Sequence, residues 1–102
     1  MNNSGFLSLL GMCRRANKLS CGHDGAVGSV RSKSAKLCVL SSDSSERLRK
    51  EMEREISMAG ADVPVIMPGF DMFEIGRATG LKSAVMTVND EGFAEALLKL
   101  LT

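Results

Sequence analysis

The chain has no tryptophan, no tyrosine and only four phenylalanines, so its core cannot rest on large aromatic rings. Leucine, valine, alanine and seven methionines must fill it instead, methionine being an adaptable filler of irregular space. The three cysteines, Cys13, Cys21 and Cys38, are an odd number without patterned spacing. That excludes a disulfide framework and points to a reducing, cytoplasmic setting. No apolar run approaches the ~18 residues of a membrane span. The opening Met-Asn-Asn-Ser-Gly-Phe-Leu shows no basic stretch ahead of a long apolar run, so neither a signal peptide nor a membrane location is expected.

Chemistry-bearing residues are also scarce. There is one histidine, His23, two residues after Cys21. A nucleophile and its base at that spacing, across a strand-to-helix turn and without a third residue to orient the ring, rarely meet productively. A metal site needs three or four ligands, and this pair falls short. No Gly-x-x-x-x-Gly-Lys-Ser/Thr phosphate loop occurs, and Gly22, Gly25 and Gly28 do not match a dinucleotide fingerprint. Glu51, Glu53 and Glu55 spread around a helix and read as a solvated face. The residues therefore predict no enzyme, no metal and no cofactor.

What is present is alternation. With 102 residues, 44% of them apolar, and no linker, the chain forms one domain over 1–102. Ser4 is expected to cap a helix to about Arg15, with Phe6, Leu9, Leu10 and Cys13 on its buried face. Leu19-Ser20-Cys21 is extended, and Gly22 breaks into a glycine-weakened helix ending near Arg31. Leu37 to Leu40 reads as a strand covered on both faces, and Ala84 to Val88 as another strand. Val63 to Met67 is a further strand, with Pro64 marking a start or a sheet edge. A long helix is expected from about Ser44 to Ala59, striped by Leu48, Met52, Ile56 and Ala59, and a short one from Asp71 to Thr79. A last helix, capped by Asn89 or Asp90, buries Phe93, Ala96, Leu97 and Leu100. The order predicts an α/β fold: a three-layer α/β/α sandwich with a four-stranded mixed sheet and about five helices.

Net charge is only +1, but it is unevenly spread. Residues 1–40 carry Arg14, Arg15, Lys18, Arg31, Lys33 and Lys36 against Asp24 alone, a net of +5; residues 41–102 carry seven Lys/Arg against eleven Asp/Glu, a net of −4. A polyanion would be drawn to the N-terminal part. The helix starting after Gly22 presents free backbone N–H groups and a positive dipole end. Lys18 precedes it, and Arg31 and Lys33 follow it, which predicts a compact nucleic-acid site.

The segment Leu9-Leu10-Gly11-Met12-Cys13-Arg14-Arg15-Ala16-Asn17-Lys18-Leu19-Ser20-Cys21-Gly22 resembles the opening of the kink-turn-binding ribosomal-protein superfamily, and most of all its short bacterial branch, the YlxQ type. The likeness continues through Ala35 to Leu40, Ser42 to Ser45, Val63 to Val65, Glu74 to Gly80 and Asn89 to Ala94. It implies recognition of kinked RNA, with the second helix's N-terminus docked against sheared G·A pairs and two loops flanking it. Site residues implied in this way are Gly22, His23, Asp24 and Gly25 at that helix, Asp43 and Ser44 in one loop, and Leu81 and Lys82 in the other. Arg14, Arg15, Lys18, Arg31 and Lys33 would contact phosphates. In the family the helix opens Gly-x-Asn-Glu-x-x-Lys; here Asp24, Gly25 and Gly28 replace the Asn, Glu and Lys. Asp24 accepts but cannot donate from its side chain, and the glycines offer none, so readout is expected to rest on shape and charge. The implied protein is a monomeric, ribosome-associated RNA binder, with a protein-interaction module of the same fold as the alternative.

Overall fold

The structure, a computed structural model, describes residues 3–101, with side chains from residue 5 onward. Helix and strand alternate throughout: α1 Asn3–Arg15, β1 Leu19–Cys21, α2 His23–Arg31, β2 Leu37–Leu40, α3 Glu46–Met58, β3 Val65–Ile66, α4 Met72–Thr79, β4 Val85–Val88 and α5 Glu91–Lys99. The strands form one mixed sheet in the order β1-β4-β2-β3. β4 runs antiparallel to both β1 and β2, and β3 runs parallel to β2.

Every residue of β2 and β4 is buried, and their alternating side chains divide the interior in two. Leu37, Val39, Met86 and Val88 join Phe6, Leu10 and Cys13 of α1, Ile75 of α4 and Ala94 and Leu97 of α5 on one face. Cys38, Leu40 and Val85 join Ala26, Val27 and Val30 of α2 and Met52 and Ile56 of α3 on the other. The result is the expected three-layer sandwich. The scarce aromatics meet: Phe6 and Phe70 stack with centroids 5.5 Å apart.

Several boundaries differ from the sequence reading. α1 begins at Asn3, so Ser4 falls within its first turn, and the Ser4 side chain lies outside the described residues. α3 begins at Glu46 because Ser45 is its cap, its Oγ accepting from Leu48 N at 3.1 Å. The strand expected over 63–67 shrinks to Val65–Ile66. Pro64 has no N–H to continue the ladder, and β3 is an edge strand whose link to β2 includes Cys38 N donating to the Pro64 carbonyl at 2.9 Å. In α5 the fully buried pair is Ala94 and Leu97; Phe93, Ala96 and Leu100 are half-buried. Asp71 is the cap of α4, in a reciprocal box with Glu74.

Candidate nucleic-acid interface

Sheet register decides which residues meet. Cys21 pairs with Met86 and Leu40 with Val85, so β1 and β2 end where β4 begins. Three segments converge at that end: Gly22 leading into α2, residues 41–45 between β2 and α3, and residues 80–84 between α4 and β4. Gly22 has φ 87° and ψ 163°, a conformation essentially reserved for glycine. Its N–H donates both to the Val85 carbonyl and to Ser83 Oγ, each at 3.0 Å. Ser83 Oγ in turn donates to the Val85 carbonyl at 2.7 Å. The middle segment is fastened by Ser41 N to the Ala84 carbonyl (2.9 Å) and by Ser42 N to the Phe70 carbonyl (2.7 Å). Asp43 Oδ1 accepts from Met72 N at 3.2 Å, and Ser44 Oγ donates to the Ser41 carbonyl. The Ser41 hydroxyl and the Met72 amide hold the Asp43 carboxyl below its usual range.

No side chain caps α2. The amides of His23, Asp24 and Gly25 therefore have no capping partner, and the positive end of the helix dipole faces outward. Asp24, Gly25, Leu81 and Lys82 are all exposed beside them, and Leu81 puts apolar surface at the rim. Gly22, His23, Asp24, Gly25, Asp43, Ser44, Leu81 and Lys82 thus share one end of the sheet. Ser83, which links the third segment to Gly22, was not foreseen; a lone serine ahead of a strand carries no sequence signal for that role.

The chemistry around His23 is electrostatic. Nε2 lies 3.1 Å from Glu51 Oε2 and Nδ1 lies 3.5 Å from Asp24 Oδ1, so both ring nitrogens face carboxylates. Burial raises the thiol pKa of Cys21, pushes Cys13 up to about 11 and Cys38 up to about 12, which opposes thiolate formation. Among the described residues no cluster of three or more His, Cys, Asp or Glu could hold a metal ion.

Beyond Lys82, most of the expected phosphate-binding cations do not join this end. Lys18 stands before the first residue of β1, and Asn89 N donates to its carbonyl at 2.8 Å; Lys36 stands before β2, with its N donating to the Val88 carbonyl at 2.7 Å. Arg14 and Arg15 close α1, Arg31 closes α2 and Lys33 follows it. Lys18, Arg31, Lys33 and Lys36 lie toward the opposite end of the sheet, separated from Gly22 by about 13 Å along β1 or roughly 13 Å along α2. The Arg14 charge instead acts on the Cys21 thiol, and the Arg15 guanidinium folds back over Gly11. The compact site expected from chain proximity is therefore two surfaces. Arg31 is further committed: Nε and Nη2 reach Glu55 Oε1 and Oε2 at 3.0 and 3.1 Å, a bidentate pair that fastens α2 to α3.

Residues 6–98 match the model of the Ribosomal protein L7Ae/L30e/S12e/Gadd45 family. The chain belongs to this family. It is similar to the RNA-binding protein YlxQ of Enterococcus faecium, at 27% identity over 98% of this chain and 94% of that one. It is likewise similar to the RNA-binding protein YlxQ of Bacillus subtilis (strain 168), at 28% identity over 99% of each. Among solved structures, a protein with unknown function from Bacillus halodurans C superposes with a TM-score of 0.80 at 31% identity, covering 94% of this chain and 95% of that one. The Giardia lamblia 15.5kD RNA binding protein shares the fold at 15% identity, with a TM-score of 0.68 over 93% of this chain and 80% of that one.

Two of the segments that carry the family likeness turn out to meet. An added Cβ at Gly11 would lie 2.6 Å from the Ala78 carbonyl oxygen, so α1 and α4 approach at a spacing only glycine permits. At Gly76 it would lie 3.3 Å from Lys82 Cα, which holds the loop carrying Leu81 and Lys82 against α4. In this member of the L7Ae/L30e/S12e/Gadd45 family, those glycines shape the scaffold beneath the loop end.

Proposed function

We propose that this chain is a non-enzymatic RNA-binding protein, cytoplasmic, monomeric and associated with the ribosome, that recognises structured, kink-turn-like RNA by shape and backbone contacts. The observation that carries the reading is the convergence of an uncapped α2 N-terminus with the 41–45 and 80–84 loops at one end of the sheet. Backbone amides and a flanking apolar side chain suit splayed bases and a bent backbone, which is how folded RNA is recognised. Asp24 and Gly25 remove the side-chain base readers of the family opening, so discrimination rests on shape. The family, and the likeness to two RNA-binding YlxQ proteins, support the same reading. The described residues contain no helix long and apolar enough to cross a membrane.

The test is an amide chemical-shift titration with a kink-turn RNA and with an uninterrupted duplex of equal length. Shifts at His23, Asp24, Gly25, Ser42 to Ser44 and Leu81 to Lys82 are expected with the kinked RNA and not with the duplex. Equal shifts with both, or none with either, would refute the reading. A second reading, a protein-interaction module that has lost specific RNA binding, is favoured by the carboxylates of Asp24 and Asp43 at this end, which repel phosphate. It predicts a bound protein partner that survives nuclease treatment.

A further inference from the structure

We infer that the end of the sheet opposite the loop face is a second, separate RNA-backbone surface, formed by Lys18, Lys33 and Lys36, so that the protein holds two segments of one RNA. This rests on the RNA-binding reading above but assigns a different surface to it. Four of the chain's cations outside this group are spent on carboxylates: Arg31 on Glu55, Arg47 on Glu51, Arg49 on Glu53 and Lys50 on Glu46. Lys18, Lys33 and Lys36 are exposed, and none of them lies in an ion pair among the described residues.

The fold brings them together. Lys18 and Lys36 flank Asn89 on either side, joined through the Asn89 N to Lys18 carbonyl and Lys36 N to Val88 carbonyl bonds. Two strand spacings, about 10 Å, separate them. The turns that present them are fixed. Asn17 and Lys33 sit at φ 61° and 64°, and backbone bonds from Lys18 N to Cys13 and from Lys33 N to Val30 close the two turns. A helix C-terminal dipole accounts for a cation such as Arg15 in the last turn of α1. It does not account for Lys18 or Lys36, which stand at strand starts. The acids nearby are Asp62, ahead of the β3 strand that pairs with β2, and Asp90 and Glu91 on the β4–α5 turn, of which Asp90 is engaged in capping α5 through Phe93 N at 2.9 Å.

The loop end, by contrast, sets Asp24, Asp43 and Glu51 against Lys82 and attracts phosphate poorly. Counterion-releasing contacts therefore belong at the basic end, where they supply affinity without sequence information. At roughly 3.4 Å per nucleotide of a stacked strand, the ~13 Å between the ends needs about four nucleotides. An RNA trimmed at its bend engages the loop end alone; one extended by about eight nucleotides engages both.

The experiment compares these two RNAs, by fluorescence anisotropy across a salt series, on the full chain, the triple variant Lys18→Gln/Lys33→Gln/Lys36→Gln, and the control Arg47→Gln/Arg49→Gln/Lys50→Gln. The control removes the same charge from ion-paired positions. Between 50 and 200 mM salt, the wild type should lose about 20-fold more affinity for the extended RNA than the lysine triple does, as loss of three contacts implies. The trimmed RNA should bind the wild type and the lysine triple alike. Equal weakening on both RNAs, or an effect no larger than the control's, would overturn the second surface. So would displacement of the extended RNA by polyglutamate as readily as by unlabelled RNA, which would make this an acidic-protein surface. If the lysine triple weakens only the extended RNA while the His23 to Gly25 amides never shift, the basic surface stands and the loop reading falls. Wild type that binds neither RNA at 50 mM salt overturns both.

Discussion

Glycine to alanine is one substitution that this structure assigns opposite signs at different helical positions. At Gly28, mid-α2 and exposed, a methyl group meets nothing within 4 Å. Alanine is favoured over glycine inside a helix by about 0.8–1.0 kcal/mol, so Gly28→Ala should stabilise the fold by close to that amount. In a domain of this size that raises Tm by roughly 4–8 °C. At Gly25 the methyl would sit 3.7 Å from Ser20 Cβ, an ordinary contact, and the gain should be similar in sign and smaller in size because the position lies in the first turn. At Gly11 the methyl would lie 2.6 Å from the Ala78 carbonyl oxygen, which is backbone and cannot rotate away. α1 and α4 must part, and overpacking of this kind costs about 1–3 kcal/mol. Set against the same propensity gain, Gly11→Ala should lose up to about 2 kcal/mol net. Thermal unfolding by far-UV circular dichroism on the three variants and the wild type reads both signs at once. A Gly11→Ala protein that melts at or above the wild type would refute the close α1–α4 approach, and a Gly28→Ala protein that melts below it would refute the open surroundings of α2.

The Arg31 pair should give the fold a pH signature. Arg31 holds the Glu55 carboxyl below its ordinary value of 4.5, so the stability it adds is present above that pH and is lost as pH falls through the depressed value. The Tm gap between wild type and Glu55→Gln should be constant at neutral pH and close in the acid range; a gap unchanged at pH 3 would contradict the pair. Thiol labelling at pH 8 should modify Cys21, which is half-buried, well before Cys13 and Cys38, which are buried with pKa values near 11 and 12; all three should react in denaturant, and fast native labelling of Cys38 would count against its burial. Ser83→Ala removes an acceptor shared by the Gly22 and Val85 amides and should cost about 1–2 kcal/mol in urea unfolding. A cost indistinguishable from zero would mean that Gly22 is held by the Val85 carbonyl alone.

The two cores could be read from the chain because their pattern is local. Leu37-Cys38-Val39-Leu40 and Val85-Met86-Thr87-Val88 are buried on both faces, and a strand so covered reads as an apolar run whichever side each residue takes. The α4 start was equally legible, since Asp71 and Glu74 form their box within four residues. The edge strand was not. How far Val63 to Met67 pairs depends on β2, which lies more than 20 residues earlier, and on the donor that Pro64 lacks.

The candidate site shows a different failure, and its cause is direction. Lys18 and Gly22 are four residues apart, and nearness in the chain suggested one site. But β1 lies between them in extended form, and a strand moves its ends apart by about 3.3 Å per residue. α2 then returns the chain to Arg31 and Lys33 at the end that Lys18 occupies. The β-α unit thus carries uncapped helix amides on one turn and charge on the next two, and only the register, Leu19 with Val88 and Cys21 with Met86, says which turns share an end. A charge count over residues 1–40 is blind to that register. It found the excess of cations, and nearness in the chain then placed Lys18, Arg31 and Lys33 at the end of the sheet that carries Asp24, Asp43 and Glu51 instead.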